Sequence, residues 1–254
     1  MFRNNLKLIL RKLKREKLYA FVNILGLTVG LTAFFLIALY VRDELSYDKF
    51  HKDYQSIYRL VEVNDVDNFR SGYIPPDFIE YLLAEIPEIE SHTRISKPEE
   101  RDLLSYGSSA IYSEKVYFTD STFFEFFNFQ LIDGIESAVL DQPYSAVITE
   151  SLADKLFGNE NPLGKTIRLN KERDLIVNGI ATDPPGNSSF KFELLVKAGD
   201  LEMKNTFDQG YMKSLITYLN IHPDLELAPI LEKINRIKSK PNYGEVMFCL
   251  LYTS

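Results

Sequence analysis

A single cysteine, Cys249, in 254 residues excludes a disulfide framework, which needs cysteines in pairs. Histidine is almost as scarce. His51, His92 and His222 are scattered without the short spacing of a metal site, and each reads as a surface or capping residue. None of the motifs GxSxG, HExxH or CxxC occurs. Carboxylates abound, but pairs such as Glu99-Glu100 in an acidic body read as solvated surface. No apolar run of about 18 or more residues follows Val41, so no second membrane span is expected after it. With no nucleophile–base pair and no ligand cluster, there is no catalytic, cofactor-binding or metal residue to name, and an enzyme is not expected.

Gly164-Lys165-Thr166 is the one stretch that imitates a nucleotide site. A phosphate-binding loop needs G-x-x-x-x-G-K-[ST], but five residues, including Pro162, separate Gly158 from Gly164. The context is also inverted. The pattern reads helix (Leu152–Phe157), turn, strand (Thr166–Leu169), whereas the phosphate loop runs strand, loop, helix. A plain turn accounts for both glycines and the proline.

What is present is an asymmetry of charge. Residues 1–17 carry seven cations against Glu16 alone, a net of +6, which leaves −13 for the rest of a chain whose total is −7. So acidic a body argues against nucleic acid as a partner, while the basic end suits a membrane surface. Phe2, Leu6, Ile9, Leu10 and Leu13 recur at helical spacing among these cations, the pattern of an amphipathic helix lying on the membrane.

The next segment, Tyr19 to Val41, reads YAFVNILGLTVGLTAFFLIALYV, 23 residues without a charge. At about 1.5 Å each, such a helix crosses a hydrocarbon core of about 30 Å. Tyr19 and Tyr40 stand where amphipathic rings favour the headgroups. The run is too long for a cleaved leader, and no small-x-small site follows before Arg42. The cations before the span place residues 1–17 in the cytoplasm and everything after Val41 outside. Within it, Gly26 and Gly30 form a GxxxG beside Asn23. These three residues are the candidate helix-packing face, because small residues admit a second helix and a membrane-buried amide needs a partner.

Beyond the span the pattern is globular. Tyr47, Phe50, Tyr54, Ile57 and Tyr58 suggest one face of a short helix, followed by a strand at Tyr58–Val63. A helix is expected from Pro75-Pro76 to Ile86, stopped by Pro87. Strands are expected at Val116–Phe118, Ala146–Ile148, Thr166–Leu169, Leu175–Ile180, Phe190–Val196 and Leu215–Ile221. Helices are expected over Thr122–Phe127, from a cap at Thr149 or Ser151 to Gly158, and over about Leu225–Lys238. Phe123, Phe124, Phe126, Phe127 and Phe129 read as core packing. The irregular interleaving of strands and helices points to an α+β fold.

Four segments together resemble MacB/FtsX-type permeases of the ABC transporter superfamily, above all the long versions common in Bacteroidetes. They are the basic leader and span with SYDKFHKDYQSIYRL (Ser46–Leu60), VYFTDSTFFEFFNFQLIDG (Val116–Gly134), SAVITESLADKLFGNENPLGKTIRL (Ser145–Leu169) and IVNGIATDPPGNSSFKFELLV (Ile176–Val196). The resemblance implies one N-terminal transmembrane helix followed by a two-lobed mixed α/β extracytoplasmic domain. In domain terms it implies a cytoplasmic basic amphipathic helix at 1–17, a transmembrane helix at 18–41 and a MacB-like periplasmic core domain at 42–245. The core domain is expected to be truncated, and 246–254 to be a non-native tail, so the chain reads as a fragment of a longer permease in the bacterial inner membrane.

The implied function is to couple cytoplasmic ATP hydrolysis to periplasmic movements for efflux or release of drugs, peptides or lipoproteins. ATP would be bound by a partner ABC ATPase, with no cofactor in this chain, and the permease would pair as a homodimer or heterodimer. The alternative is a single-pass membrane-anchored sensor or ligand-binding protein.

Overall fold

The structure, a computed structural model, describes residues 15–64, 69–71, 76–96, 101–198, 215–238 and 245–250. The chain falls into two compact units, Met1–Tyr47 and Asp48–Ser254.

The first unit contains α1, Lys17–Glu44, in which no residue is buried. Its 28 residues extend about 42 Å. Among the described residues it is the one helix long and apolar enough to cross a membrane. Most of the amphipathic helix expected over 1–17 lies outside the described residues.

The second unit is built on one mixed sheet. Its strands are β1 Ile57–Asn64, β2 Phe69–Ser71, β3 Ile89–Ser96, β4 Asp102–Tyr106, β5 Ser109–Ser113, β6 Val116–Thr119, β7 Leu131–Asp133, β8 Ser145–Thr149, β9 Thr166–Leu169, β10 Arg173–Ala181, β11 Leu194–Lys197, β12 Leu215–Ile221 and β13 Glu245–Leu250. Its helices are α2 Pro76–Glu85, α3 Phe123–Phe126, α4 Glu150–Phe157 and α5 Leu227–Lys238. Among the described residues the strand order is β13-β1-β12-β3-β6-β11-β8-β10-β9-β4-β5, with β2 beside β1 and β7 beside β10. The β6–β11 and β8–β10 pairs are parallel and the others antiparallel.

Both faces of this sheet are covered, which is why its central strands are buried along their whole length, as in β6 and β8. Alternation assigns each side chain to a face. On one face Ile57, Ile95, Tyr117, Val147, Leu195, Ile216 and Tyr218 meet the aromatic residues Phe123, Phe124, Phe127, Phe129, Phe190 and Phe192. On the other, Val116, Phe118, Ala146, Ile148, Leu194 and Val196 pack under α4 through Leu152, Leu156 and Phe157. Tyr58, Leu60, Leu219 and Ile221 pack under α2 and α5 through Phe78, Ile79, Leu82, Ile230 and Ile234.

The sheet thus has two halves, each with its own helix-covered core, sharing one aromatic core. They join where β3 meets β6 at the single register pair Ile95–Thr119. Side chains supplement that seam: Arg94 forks onto Asp120 at 2.8 and 3.0 Å, and the Thr119 hydroxyl donates to the Arg94 carbonyl at 2.7 Å.

Two glycines of the family-like segments have packing reasons. A Cβ on Gly179 would lie 2.8 Å from Val139 Cγ1, and one on Gly134 would lie 2.5 Å from the same atom. Gly134 also sits at φ 113°, where a side chain is strained. The β10 register shifts between Val177 and Gly179, so Val177 faces the α4 core while Ala181 faces the aromatic core. The α4 helix is capped as expected: the Thr149 hydroxyl accepts from Leu152 N–H, and Gly158 closes the helix at φ 61°.

Two expectations are corrected. Residues 48–56 form successive turns, because Asp48 at φ 54° breaks the helical path. The strand expected over Phe190–Val196 begins only at Leu194. The Phe190 N–H is taken by the Ser188 hydroxyl instead of a ladder partner, at 3.2 Å. The two expected lobes are the two halves of the mixed sheet, each with its own helix-covered core. Strands β2, β3, β4, β5, β7 and β13 carry no expectation above. In β3, Ser91, His92, Thr93 and Arg94 hide the strand pattern. Glu245–Leu250 of the region around the expected tail pair with β1, and 251–254 lie outside the described residues.

Candidate functional site: the apolar helix face and the Asp48 clasp

Asn23, Gly26 and Gly30 recur at i, i+3 and i+7 along α1 and therefore share a face. A Cβ on either glycine would meet nothing within 4 Å, so the face is flat and open. Thr28 and Thr32 are already committed, donating to the carbonyls of Ile24 and Thr28 at 2.7 and 2.8 Å.

The turn beginning at Asp48 is built differently. Asp48 is fully buried. Its Oδ1 accepts from Ser189 N–H at 2.8 Å, and its Oδ2 accepts from the Ser189 hydroxyl at 2.5 Å. Its own N–H donates to the Asn187 carbonyl at 2.9 Å. Burial pushes the carboxyl pKa up, against the Ser189 hydrogen bonds and the charge of Lys191.

Three residues on, His51 is only 1% exposed. Its ring centroid lies 4.0 Å from Phe50, 5.0 Å from Phe127 and 5.1 Å from Phe129. Nδ1 accepts from Asn128 N–H at 3.2 Å, which assigns the proton to Nε2; Nε2 has no partner among the described residues. Burial lowers its pKa to about 4. The Asn128 side chain holds the same segment through Lys52 N–H, at 2.6 Å. Of the two roles expected, surface or capping, His51 is not on the surface: it accepts a main-chain N–H from inside the aromatic core, among residues some 77 positions away. The other two fit that expectation better: His222 accepts from Asp224 N–H at 3.3 Å on the surface, and His92 is half-buried.

An open cleft of about 310 Å³ lies elsewhere on the body, lined by Lys115, Ser151, Lys155, Asp183, Lys191 and Glu193 among others. Its polar groups satisfy one another. Lys115 and Lys155 both pair with Glu193, and the Ser151 hydroxyl donates to Asp183. The Gly164-Lys165-Thr166 stretch runs from α4 through a turn into β9, with Gly164 at φ 72°. Lys165 is engaged by Glu160 and lies over the Tyr106 ring. Among the described residues no group of three His, Cys, Asp or Glu side chains is arranged to hold a metal ion.

The clasp was hidden from sequence reasoning because its halves lie about 140 residues apart. The available signal was the pair of family-like segments containing them, Ser46–Leu60 and Ile176–Val196. Asn187-Ser188-Ser189 supplies the receiving turn.

The model of the MacB-like periplasmic core domain matches residues 20–228. No curated protein matches the sequence. Among solved structures, a domain described as that of a permease from Porphyromonas gingivalis is 21% identical, with a TM-score of 0.57. It covers 78% of this chain and 90% of its own. The periplasmic region of MacB from Actinobacillus actinomycetemcomitans gives 21% identity and a TM-score of 0.57, over 77% of this chain and 89% of its own. The extracellular domain of the noncanonic ABC-type transporter YknZ from Gram-positive bacteria gives 15% and 0.53, over 75% and 99%. These likenesses establish the fold, and the match running from within α1 to α5 establishes the family: the chain belongs to the MacB-like periplasmic core domain family of ABC transporter permeases.

Proposed function

We propose that the chain supplies the first membrane span and the periplasmic core domain of a permease subunit. In this reading α1 crosses the bacterial inner membrane, with residues 1–17 in the cytoplasm and the body from Asp48 in the periplasm. The seven cations before the span support that orientation. Permeases of this family work with a cytoplasmic ABC ATPase, which binds the nucleotide; the permease is no classical enzyme. ATP hydrolysis below drives periplasmic movement above, for efflux or release of drugs, peptides or lipoproteins. The Asn23–Gly26–Gly30 face packs against a further span, in the same subunit or in a homodimer or heterodimer partner.

The observation that carries this reading is the continuous family match from the apolar helix through the sheet. The test is reconstitution in nanodiscs with the ABC ATPase encoded at the same locus. The reading expects the ATPase to be retained on the discs and its turnover to change when the chain is present. Membrane retention with no ATPase bound would instead favour the single-pass binding protein.

A further inference from the structure

We propose that residues 48–52 form an acid-released latch, in which protonation of His51 detaches the segment from the turns at 127–129 and 186–190. The argument begins with hydrogen-bond polarity. Neutral His51 uses its Nδ1 lone pair to accept from Asn128 N–H at 3.2 Å. Imidazolium carries a hydrogen on both nitrogens and has no lone pair. Protonation therefore sets donor against donor at Asn128. It also places a full charge between Phe50, Phe127 and Phe129, where the Nε2 hydrogen already has no acceptor among the described residues. The ring can remain charged only by leaving the core.

No neighbouring acid offsets this. On its own segment, His51 N–H reaches only the main-chain carbonyl of Asp48, while the Asp48 carboxylate is turned to Ser189. Lys49 and Lys52 are cations on the same segment, and Lys191, beyond the receiving turn, acts on Asp48. Glu125 on α3 is exposed. Burial is the cause of the lowered His51 pKa, and no charged group contributes. Asp48 acts in the opposite sense. Its carboxyl pKa is raised in the closed form, so its protonation favours closure. The two groups are thus separable by substitution.

The latch fastens the stretch that follows the membrane helix in sequence to two turns of the aromatic core. Its release frees that stretch while the sheet remains paired. The use of such a latch rests on the periplasmic placement proposed above, where pH follows the medium. The latch itself is measured on the purified chain, so its failure and the failure of that placement are separate results.

The experiment is amide hydrogen exchange on the full chain in detergent micelles from pH 7.5 to 4.5, corrected for intrinsic rates, with a parallel imidazole NMR titration. His51 opens with a pKa near 6.5 and closes with one near 4. Protection at Asn128 and Ser189 is therefore expected to fall on the order of 100-fold over that range, while β8 amides keep theirs. His51→Gln, whose side-chain carbonyl accepts from Asn128 N–H without titrating, is expected to abolish the fall, whereas Asp48→Asn retains it. Equal loss in His51→Gln and the unsubstituted chain overturns the proposal, as does full protection of the unsubstituted chain at pH 4.5. If His51→Gln does not fold, the titration decides. A His51 midpoint well below the ordinary histidine value of about 6.5 supports the latch; a midpoint near 6.5 with unchanged protection overturns it.

Discussion

In α1, 28 residues bury nothing; a few positions along the chain, Asp48 and His51 are ionisable and almost wholly buried. The first region is specified by composition. Any apolar sequence of that length satisfies a bilayer, and only the Asn23–Gly26–Gly30 face carries more particular information. The second is specified by partners. A carboxylate and an imidazole are tolerated in the interior because Ser189 and Asn128 meet them with correctly polarised groups. Substitutions should therefore act globally and additively in the span but locally and through named partners in the body.

The largest expected effect tests the body alone. Phe123 is fully buried and its ring contacts those of Phe124, Phe127, Phe129, Phe190 and Phe192. Phe123→Ala should cost about 3–5 kcal/mol in chemical unfolding of the body, with membrane retention after carbonate extraction unchanged. Leu27→Arg reverses the pattern. A charge at the middle of α1 should cost about 2.5–3.5 kcal/mol of insertion and release the chain from membranes. The body's unfolding midpoint should stay where it was. If either substitution moves both measurements together, the two regions are not independently specified.

Acid sharpens the contrast. The His51 pKa is lowered to about 4 in the fold and returns to about 6.5 on unfolding, so the unfolded chain binds more protons between those values. His51 therefore contributes stability that is complete above about pH 6.5 and is lost as pH falls toward 4, by up to about 3 kcal/mol. Asp48 opposes this at the acid end, because its raised pKa makes the folded state the better proton acceptor. Unfolding curves of the His51→Gln chain should lack the His51 part of this slope.

Much of this molecule was legible in sequence because burial wrote it there. β12 matches its expected bounds at Leu215–Ile221, and β9 at Thr166–Leu169. The cap of α4 at Thr149 was readable from side-chain type, and the span from charge. The β4–β5 hairpin was not, since Ser105, Ser109 and Ser113 on partly exposed strands give no clean alternation. The clasp was illegible for a different reason. Asp48 and His51 sit among Tyr47, Lys49, Phe50 and Lys52, and nothing local distinguishes a buried carboxylate from a solvated one.

Smaller effects test single contacts. Asp48→Ala leaves the Ser189 N–H without its acceptor and should cost about 1–3 kcal/mol, measured by thermal unfolding. Ser189→Ala removes only the hydroxyl donor and should cost less, about 1 kcal/mol. Smallest for the fold is Gly26→Leu, which meets nothing within 4 Å and should leave the body's stability within about 0.5 kcal/mol. Its effect should appear in disulfide cross-linking between spans, which a bulky residue on the small-residue face suppresses. Unchanged cross-linking would assign that face to lipid.

The proposed topology, in which α1 divides a cytoplasmic leader from an extracytoplasmic body, is tested most directly by labelling single cysteines with a membrane-impermeant maleimide. In a Cys249→Ser background, Ser137→Cys on the exposed loop after β7 should be labelled in intact spheroplasts. Arg15→Cys, before α1, should react only after lysis. Labelling of both in intact cells, or of Arg15→Cys alone, would contradict the account.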